Sequence, residues 1–422
     1  METVGHLDSG EKNRYWAIKS YPRLRYYAFN LLSVIGLIFF CFLLPVLYVA
    51  AQVTLLYTSR RVKRTPNDPA SQDVRTVALA FYERFLEAYP TAVYSPLAKS
   101  LELGYFTRHP ITGPSLEIAV GDGFFSSMLC SQRSTRIDYG MDLIYETLAA
   151  SKKYEIYRNL CVSDAEEIPF PDNSFSTIIM NNLMHHLPDR DRILDEIWRV
   201  LKPGGVFLFT DNLIGWDAFS FEQRLLRAVG LRAIAKRLSL LKLRLMAQSL
   251  IASEEFWKRD AITRRWGVAE VSQFVSRQAM TIASIFEFLN LKFGQPTRKP
   301  LRQLLRLGML RRLIAEPIAR IVKDLILLDG RSGTADDAAF LFVALEKRLT
   351  GECTAMAPEF ACPRCKRVLA RDESNGLRCA TCDRRYPVVD GVPVLLSYWE
   401  KVPGFADYLM FHRRTAPREY IT

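Results

Sequence analysis

Between Tyr26 and Ser59 the 422-residue chain has no charged side chain. The stretch reads YYAFNLLSVIGLIFFCFLLPVLYVAAQVTLLYTS. A bilayer core is crossed by about 20 apolar residues in a helix, and this run is longer than that. Soluble core helices seldom go so far without charge. A secretory signal has a shorter apolar core and a small-residue cleavage site, which is missing here. Residues 26–59 are therefore expected to be a membrane anchor. Its path stays open. Lys12, Arg14, Lys19, Arg23 and Arg25 precede it, and Arg60, Arg61, Lys63 and Arg64 follow, so basic flanks give no orientation. With Pro45 inside the run, one transmembrane helix and a re-entrant hairpin with both ends in the cytoplasm are both allowed.

Cysteine is sparse outside one cluster. Four of the eight form CPRC…CATC at 362–382, while Cys41, Cys130, Cys161 and Cys353 are scattered. This excludes a secreted disulfide framework and suits a reducing compartment. Internal repeats are also absent. With 49% hydrophobic and 24% charged residues the chain is not disordered, and its length implies two or three folded units. The net charge of +12 is unevenly spread. Residues 111–212 hold 9 Lys/Arg against 15 Asp/Glu, whereas 213–330 hold 21 against 10. The second segment should meet a negatively charged partner.

After the anchor, 65–76 (TPNDPASQDVRT) reads as a polar linker and VALAFYERFLEAY as a helix. Strands and helices then alternate. SLEIAV (115–120) is a strand and FFSSMLCSQ a helix; RIDYGMD (136–142) is a strand and LIYETLAASKK a helix. A third strand ends near Asp164, and FSTIIMNN (175–182) is a fourth. RDRILDEIWRVL (190–201) is a helix, KPGG turns the chain, and VFLFTDN (206–212) is a fifth strand. Such alternation predicts an α/β fold, a doubly wound parallel sheet with its ligand at the C-terminal strand ends. Residues 213–330 read as a basic, leucine-rich helical insertion, with Ile318, Ile321 and Leu325 on one face and a kink expected at Pro317. Within it, VAEVSQFVSRQ is read as a helix and TIASIFEFLN as a strand. DDAAFLFVALEKRL (336–349) reads as the last strand of the sheet.

The first strand runs into Ala119, Gly121, Gly123 and Ser126, and Asp142 lies 21 residues after Gly121. A glycine turn after a strand with an acid about 20 residues on outlines a nucleotide-cofactor pocket. The third glycine of a dinucleotide site is missing, which argues against NAD. S-adenosylmethionine has no pyrophosphate. It needs bare backbone at Gly121 and Gly123, and acids for its ammonium and ribose hydroxyls. Glu117 and Asp142 suit those tasks, and Asp164 suits the adenine amino group.

LEIAVGDGFFS, GMD, DAEEIPFPDNSFS, NNLMHHL and LKPGGVFLF, in that order over about 110–212, resemble the class I S-adenosylmethionine-dependent methyltransferases, in the branch that includes quinone C-methyltransferases. The resemblance implies a Rossmann-like methyltransferase sheet. It places Glu117, Gly121 and Gly123 at the methionine end, Asp142 at the ribose, Asp164 with Ala165 at the adenine, and Asn181 near the methyl group. Ala119 stands where that family usually has glycine, and its methyl group is expected to shift the loop. The sulfonium is already activated, so the protein must align the acceptor and exclude water. A base is required only if the acceptor carries a proton. His185 and His186 are then the candidates by position, with structural packing as the other reading.

Cys362, Cys365, Cys379 and Cys382 make two CxxC knuckles spaced as in structural zinc sites, and four sulfurs leave no open coordination position. The tail RRYPVVDGVPVLL resembles the small zinc-ribbon proteins that activate RNA- and protein-modifying methyltransferases. That resemblance implies a C-terminal zinc ribbon with a regulatory or substrate-presenting role.

The expected order is a basic segment at 1–25, the anchor at 26–59, and a linker with N-terminal helices at 65–110. The cofactor domain at 111–212 follows, then the basic helical insertion and substrate cap at 213–330, the final strand at 331–350 and the ribbon at 359–397. The leading expectation is a membrane-anchored methyltransferase facing the cytoplasm, resting on an anionic membrane surface and acting on a lipid, lipid-linked or membrane-proximal small molecule. One alternative is an RNA- or protein-modifying methyltransferase that uses the ribbon for recognition. The anchor and the lack of an aromatic-interleaved basic motif weigh against nucleic acid. A non-catalytic membrane scaffold is the third reading.

Overall fold

A computed structural model of the chain describes residues 69–88, 93–184, 190–212, 265–276, 316–329, 338–348, 357–372 and 376–397, with positions 279 and 283. Among these no helix is long and apolar enough to cross a membrane. The charge-free run 26–59 lies outside the described residues, as does most of the basic segment.

Two helices precede the sheet, α1 (Pro69–Ala88) and α2 (Tyr94–Phe106). Helix α1 begins at Pro69, inside the stretch read as linker, because proline is well suited to a first helical turn. The alternating region gives β1 (Ser115–Ile118), α3 (Phe124–Arg133), β2 (Ile137–Asp142), α4 (Tyr145–Ser151), β3 (Tyr157–Ser163), β4 (Phe175–Asn181), α5 (Arg190–Val200) and β5 (Leu201–Asn212). In β5 the register jumps from Leu201 to Val206 opposite Phe175 and Thr177, so the KPGG turn loops out of the ladder. The later elements are β6 (Trp266–Ser276), α6 (Glu316–Asp329) and β7 (Ala338–Lys347). In α6, Pro317 stands in the first turn of the described helix. Ile321, Val322, Leu325 and Ile326 are buried there with Val74 and Ala78 of α1.

Two readings are corrected: in TIASIFEFLN, read as a strand, the one described residue, Ala283, is helical. VAEVSQFVSRQ contributes to strand β6, not to a helix. Val268, Val271 and Val275 mimic a helical face, but a register shift between Val268 and Glu270 breaks the strand alternation and produces that spacing.

The C-terminal module supplies β8 (Ala370–Arg371), β9 (Leu377–Arg378) and β10 (Arg385–Tyr386) as a three-stranded antiparallel sheet, then β11 (Val388–Val389) and β12 (Val392–Leu395). The main sheet has the order β11-β12-β3-β2-β1-β4-β5-β7-β6. β12, β3, β2, β1, β4 and β5 run parallel, and β7 is antiparallel to both neighbours. Every residue of β1 is buried, as expected for a central parallel strand covered on both faces.

The C-terminal module is thus built into the sheet. Val394 and Leu395 lie opposite Val162 and Ser163 of β3, and Ser163 Oγ donates to the Leu395 carbonyl at 3.2 Å. Farther along, Tyr139 donates its hydroxyl to the Pro358 carbonyl at 2.5 Å, and Ala361 N donates to the Pro169 carbonyl at 2.8 Å. Lys366 Nζ reaches Glu196 Oε2 at 2.7 Å, where Arg199 already binds the same carboxylate. Burial opposes charge on Glu196, yet Arg199 and Lys366 hold its carboxyl below the usual range. Phe360 rests edge-on to Tyr139 at 5.7 Å and beside Phe170 at 5.6 Å. Cys362, Cys379, Tyr386 and Leu395 belong to the same buried cluster as Leu116 and Ile178 of the central strands.

Candidate active site

Four neighbouring strands end together at the C-terminal edge of the sheet. In register, Ile118 of β1 lies opposite Met141 of β2 and Met180 of β4, while Asp142 lies opposite Val162 of β3. This brings the Ala119–Gly123 turn, Asp142, Asp164 and Asn181 to one edge, where an open parallel sheet binds its ligand.

The turn is left-handed at three positions: Ala119 (φ 60°), Gly121 (φ 56°) and Gly123 (φ 74°). The family's usual glycine is therefore replaced without a change to an ordinary backbone conformation, and Ala119 carries a strain of about 1–2 kcal/mol. The glycines serve different needs. A Cβ on Gly123 would lie 2.6 Å from Ser151 Cβ, so bare backbone lets the turn meet the end of α4. A Cβ on Gly121 would meet nothing within 4 Å, so the turn is an open cradle at that point. Asp142 closes that cradle: its Oδ2 accepts from Gly121 N at 2.8 Å and its Oδ1 from Ile144 N at 2.9 Å. Burial raises the Asp142 pKa, and these amides work against the shift.

Glu117 sits behind the turn. It is 2% exposed, with Ser126 Oγ donating to Oε1 at 2.5 Å and Tyr157 Oη to Oε2 at 2.8 Å. Burial pushes its carboxyl up to about 7, the two hydroxyls pull it down, and the nearby Asp142 pushes it up further. Asp164 caps a 3-10 turn over Ala165–Glu167, its Oδ1 accepting from Glu166 N at 2.9 Å. Ala165 is buried beside it. His185 and His186 lie outside the described residues.

The end of β4 joins Asn181 to a polar cluster with Lys99 and Glu102, which the motifs did not signal. Glu102 of α2 is fully buried. It receives Lys99 Nζ at 2.9 Å, Asn181 Nδ2 at 3.1 Å and Asn182 Nδ2 at 2.5 Å. Lys99 also donates to Asn181 Oδ1 at 2.5 Å and lies 5.4 Å from the centre of the Phe125 ring. Asn182 takes a left-handed conformation (φ 51°) and donates its amide to the Thr210 carbonyl at 3.0 Å. Asn182 Oδ1 and Thr210 Oγ1 are buried and have no hydrogen-bond partner among the described residues. One signal was readable: Lys99 and Glu102 are the only charged residues in YSPLAKSLELGYF, three apart on one helical face. Ser126, Tyr157 and Asn182 had no such mark.

In the C-terminal module, the Sγ atoms of Cys362, Cys365, Cys379 and Cys382 all lie within 4.8 Å of one another. The two knuckles repeat one geometry. Lys366 and Asp383, each following the second cysteine of a pair, are left-handed at φ 61° and 52°. Cys362 N and Cys379 N donate to the carbonyls of Arg367 and Arg384, both at 2.8 Å. Four sulfurs about 2.3 Å from a common centre would be just under 4 Å apart, so the cluster fits one tetrahedral ion.

Residues 116–209 match the family described as methyltransferase domain. A fatty-acid O-methyltransferase of Mycolicibacterium smegmatis is 29% identical over 36% of this chain and 57% of its own length. A ubiquinone/menaquinone biosynthesis C-methyltransferase of Rickettsia bellii is 36% identical over 22% of this chain and 42% of its own. A solved complex containing the Trm112 methyltransferase activator of Haloferax volcanii aligns with 68% of this chain and 100% of that one, at 15% identity and a TM-score of 0.35. The chain spans about half the length of the curated relatives it matches. Residues 116–209 thus carry a methyltransferase domain, set in a Rossmann-like α/β sheet.

Proposed function

We propose that the chain is a membrane-anchored S-adenosylmethionine-dependent methyltransferase acting on a lipid, lipid-linked or membrane-proximal small molecule. The observation that carries the methyltransferase reading is the Gly121 turn: left-handed, open where a side chain would stand, and tied by its amide to the Asp142 carboxylate. When bound, S-adenosylmethionine supplies an already activated methyl group. The chain's own work is then to bind, orient and exclude water. Asp142 retains acceptor capacity for ribose hydroxyls beyond its two amide bonds. Asp164 and Ala165 would border the adenine, and buried Glu117 sets the electrostatics under the methionine end.

Lys99, Glu102, Asn181 and Asn182 would wall the acceptor side. Their mutual bonds fix the Asn181 amide. The lipid assignment is supported by the charge-free run 26–59, the basic segment beyond residue 212, and relatives whose names refer to a fatty acid and to ubiquinone/menaquinone biosynthesis. Because the cofactor is cytosolic, residues 65–422 would face the cytoplasm. The four-cysteine module would hold one structural zinc ion through Cys362, Cys365, Cys379 and Cys382.

Asp142→Asn tests the cofactor assignment. It keeps side-chain volume but loses the charge and one acceptor, so S-adenosylmethionine affinity by calorimetry should fall at least about tenfold. The circular dichroism spectrum should stay unchanged, and NAD should give no heat with either protein. Unaltered affinity in the variant would remove Asp142 from the site.

A further inference from the structure

A cleft of about 800 Å³ opens between the C-terminal module and the outer edge of β3. β12 pairs with β3 only at Val162 and Ser163. The earlier half of β3, from Tyr157 to Leu160, therefore faces this cleft with no strand beside it on that edge among the described residues. Because Tyr157 begins β3, the cleft lies at the opposite end of the sheet from the Gly121 cradle. Of its lining, Tyr157 and Ser151 also reach the cofactor side, through Glu117 and against Gly123.

The lining has two characters. Arg136, Lys152, Arg158 and Arg371 face it against a single carboxylate, Glu155. Arg158 is 65% exposed and leans on Asp138 at 3.2 Å, and Lys152 Nζ donates to the Asp390 carbonyl at 2.7 Å. Arg136 and Arg371 are exposed, and their guanidinium groups have no ion pair or hydrogen bond among the described residues. Leu160, Phe360, Leu377 and Val388 add partly buried apolar wall. A solvated charge patch does not need an apolar wall, and an apolar pocket does not gather four cations around one acid. The volume is that of a small-molecule site. Guanidinium groups match phosphate oxygens in a forked geometry that ammonium groups lack.

We propose that this cleft binds a phosphate-bearing amphiphile, its head on Arg136 and Arg371 and its apolar part along Leu160, Phe360 and Leu377. Such a ligand bridges the methyltransferase domain and the C-terminal module at the point where β12 leaves β3 unpaired. The same chemistry is offered by a membrane phospholipid and by a soluble phosphate amphiphile.

The full chain in neutral detergent is titrated with dihexanoyl phosphatidic acid, with inorganic phosphate and with dihexanoyl phosphatidylcholine. Phosphatidic acid should bind at least tenfold more tightly than either control. Arg136→Gln combined with Arg371→Gln should abolish that preference while S-adenosylmethionine affinity is unchanged. Leu377→Asp should weaken phosphatidic acid binding and leave inorganic phosphate unaffected. Phosphatidylcholine vesicles with and without phosphatidic acid separate the sources. A loss of vesicle binding in the arginine variant assigns the site to a membrane lipid, and a loss confined to the soluble lipid assigns it to a free amphiphile. No binding of phosphatidic acid, equal binding by the arginine variant, or equal affinity for inorganic phosphate would overturn the proposal.

Discussion

At the scale of single residues, Glu117 gives the sharpest expectation. Its carboxyl is raised from an ordinary 4.5 to about 7 by burial. Between these values the folded protein holds a proton that the unfolded chain has released. The stability this contributes is complete below about pH 4.5 and is lost as pH rises through about 7, a change of about 3 kcal/mol at most. Thermal unfolding of the cofactor-free protein should therefore show a falling midpoint across that window, and Glu117→Gln should flatten it. A midpoint that rises over the same window in both proteins would contradict the burial of this acid. Residue-level legibility divides by sequence distance. Gly121, Gly123, Asp142 and Asp164 stand in short motifs whose chemistry is local, and the structure gathers them at one edge. The hydrogen bonds from Asn181 to Glu102 and from Lys99 to Asn181 span 79 and 82 residues, and no local pattern encodes such a meeting. Ala119 was legible as a departure, but its left-handed backbone was not, since sequence alone suggested a displaced loop.

Among the elements, the strand–helix alternation of 115–212 translated directly into parallel sheet because buried strands and amphipathic helices differ in period and length. Strand β6 did not, since a bulge at an edge strand counterfeits helical spacing. The C-terminal module was legible as a pair of CxxC knuckles whose four sulfurs gather, but not as part of the sheet: nothing in PVLLS announces a partner in β3. If zinc joins the four cysteines, it holds together the loops that deliver β12. Purified chain should contain about one zinc per molecule. Cys379→Ser should release it, and amide exchange should quicken at Val394 and Leu395 while β1 stays protected. Metal-free protein with unchanged exchange at β12 would show that the cluster does not support the strand.

For the whole molecule, charge is the organising quantity. The segment 213–330 carries 21 Lys/Arg against 10 Asp/Glu, and each basic residue near an anionic leaflet contributes about 1 kcal/mol within a Debye length. A chain lacking residues 1–64 should still sediment with anionic vesicles, less so as salt rises. Neutralising Arg311, Arg312, Arg320 and Lys323 should weaken this further. Indifference to anionic vesicles at low salt would reduce the segment to an ordinary solvated surface and leave the lipid reading on the charge-free run 26–59 alone. How the C-terminal module joins the main sheet was not readable in the sequence, because that contact depends on register rather than composition.

The pairing of Ser163 with Leu395 spans 232 residues of chain. On a ribosome adding about 5–20 residues per second, β3 is made on the order of 10–50 s before the strand that covers it. Throughout that interval the nascent sheet has a bare hydrogen-bonding edge, the feature through which β proteins join their neighbours and precipitate. A premature stop anywhere ahead of Val392 would make this exposure permanent. Nonsense products of this protein should therefore be lost to aggregation and proteolysis even when every cofactor-binding residue has been synthesised.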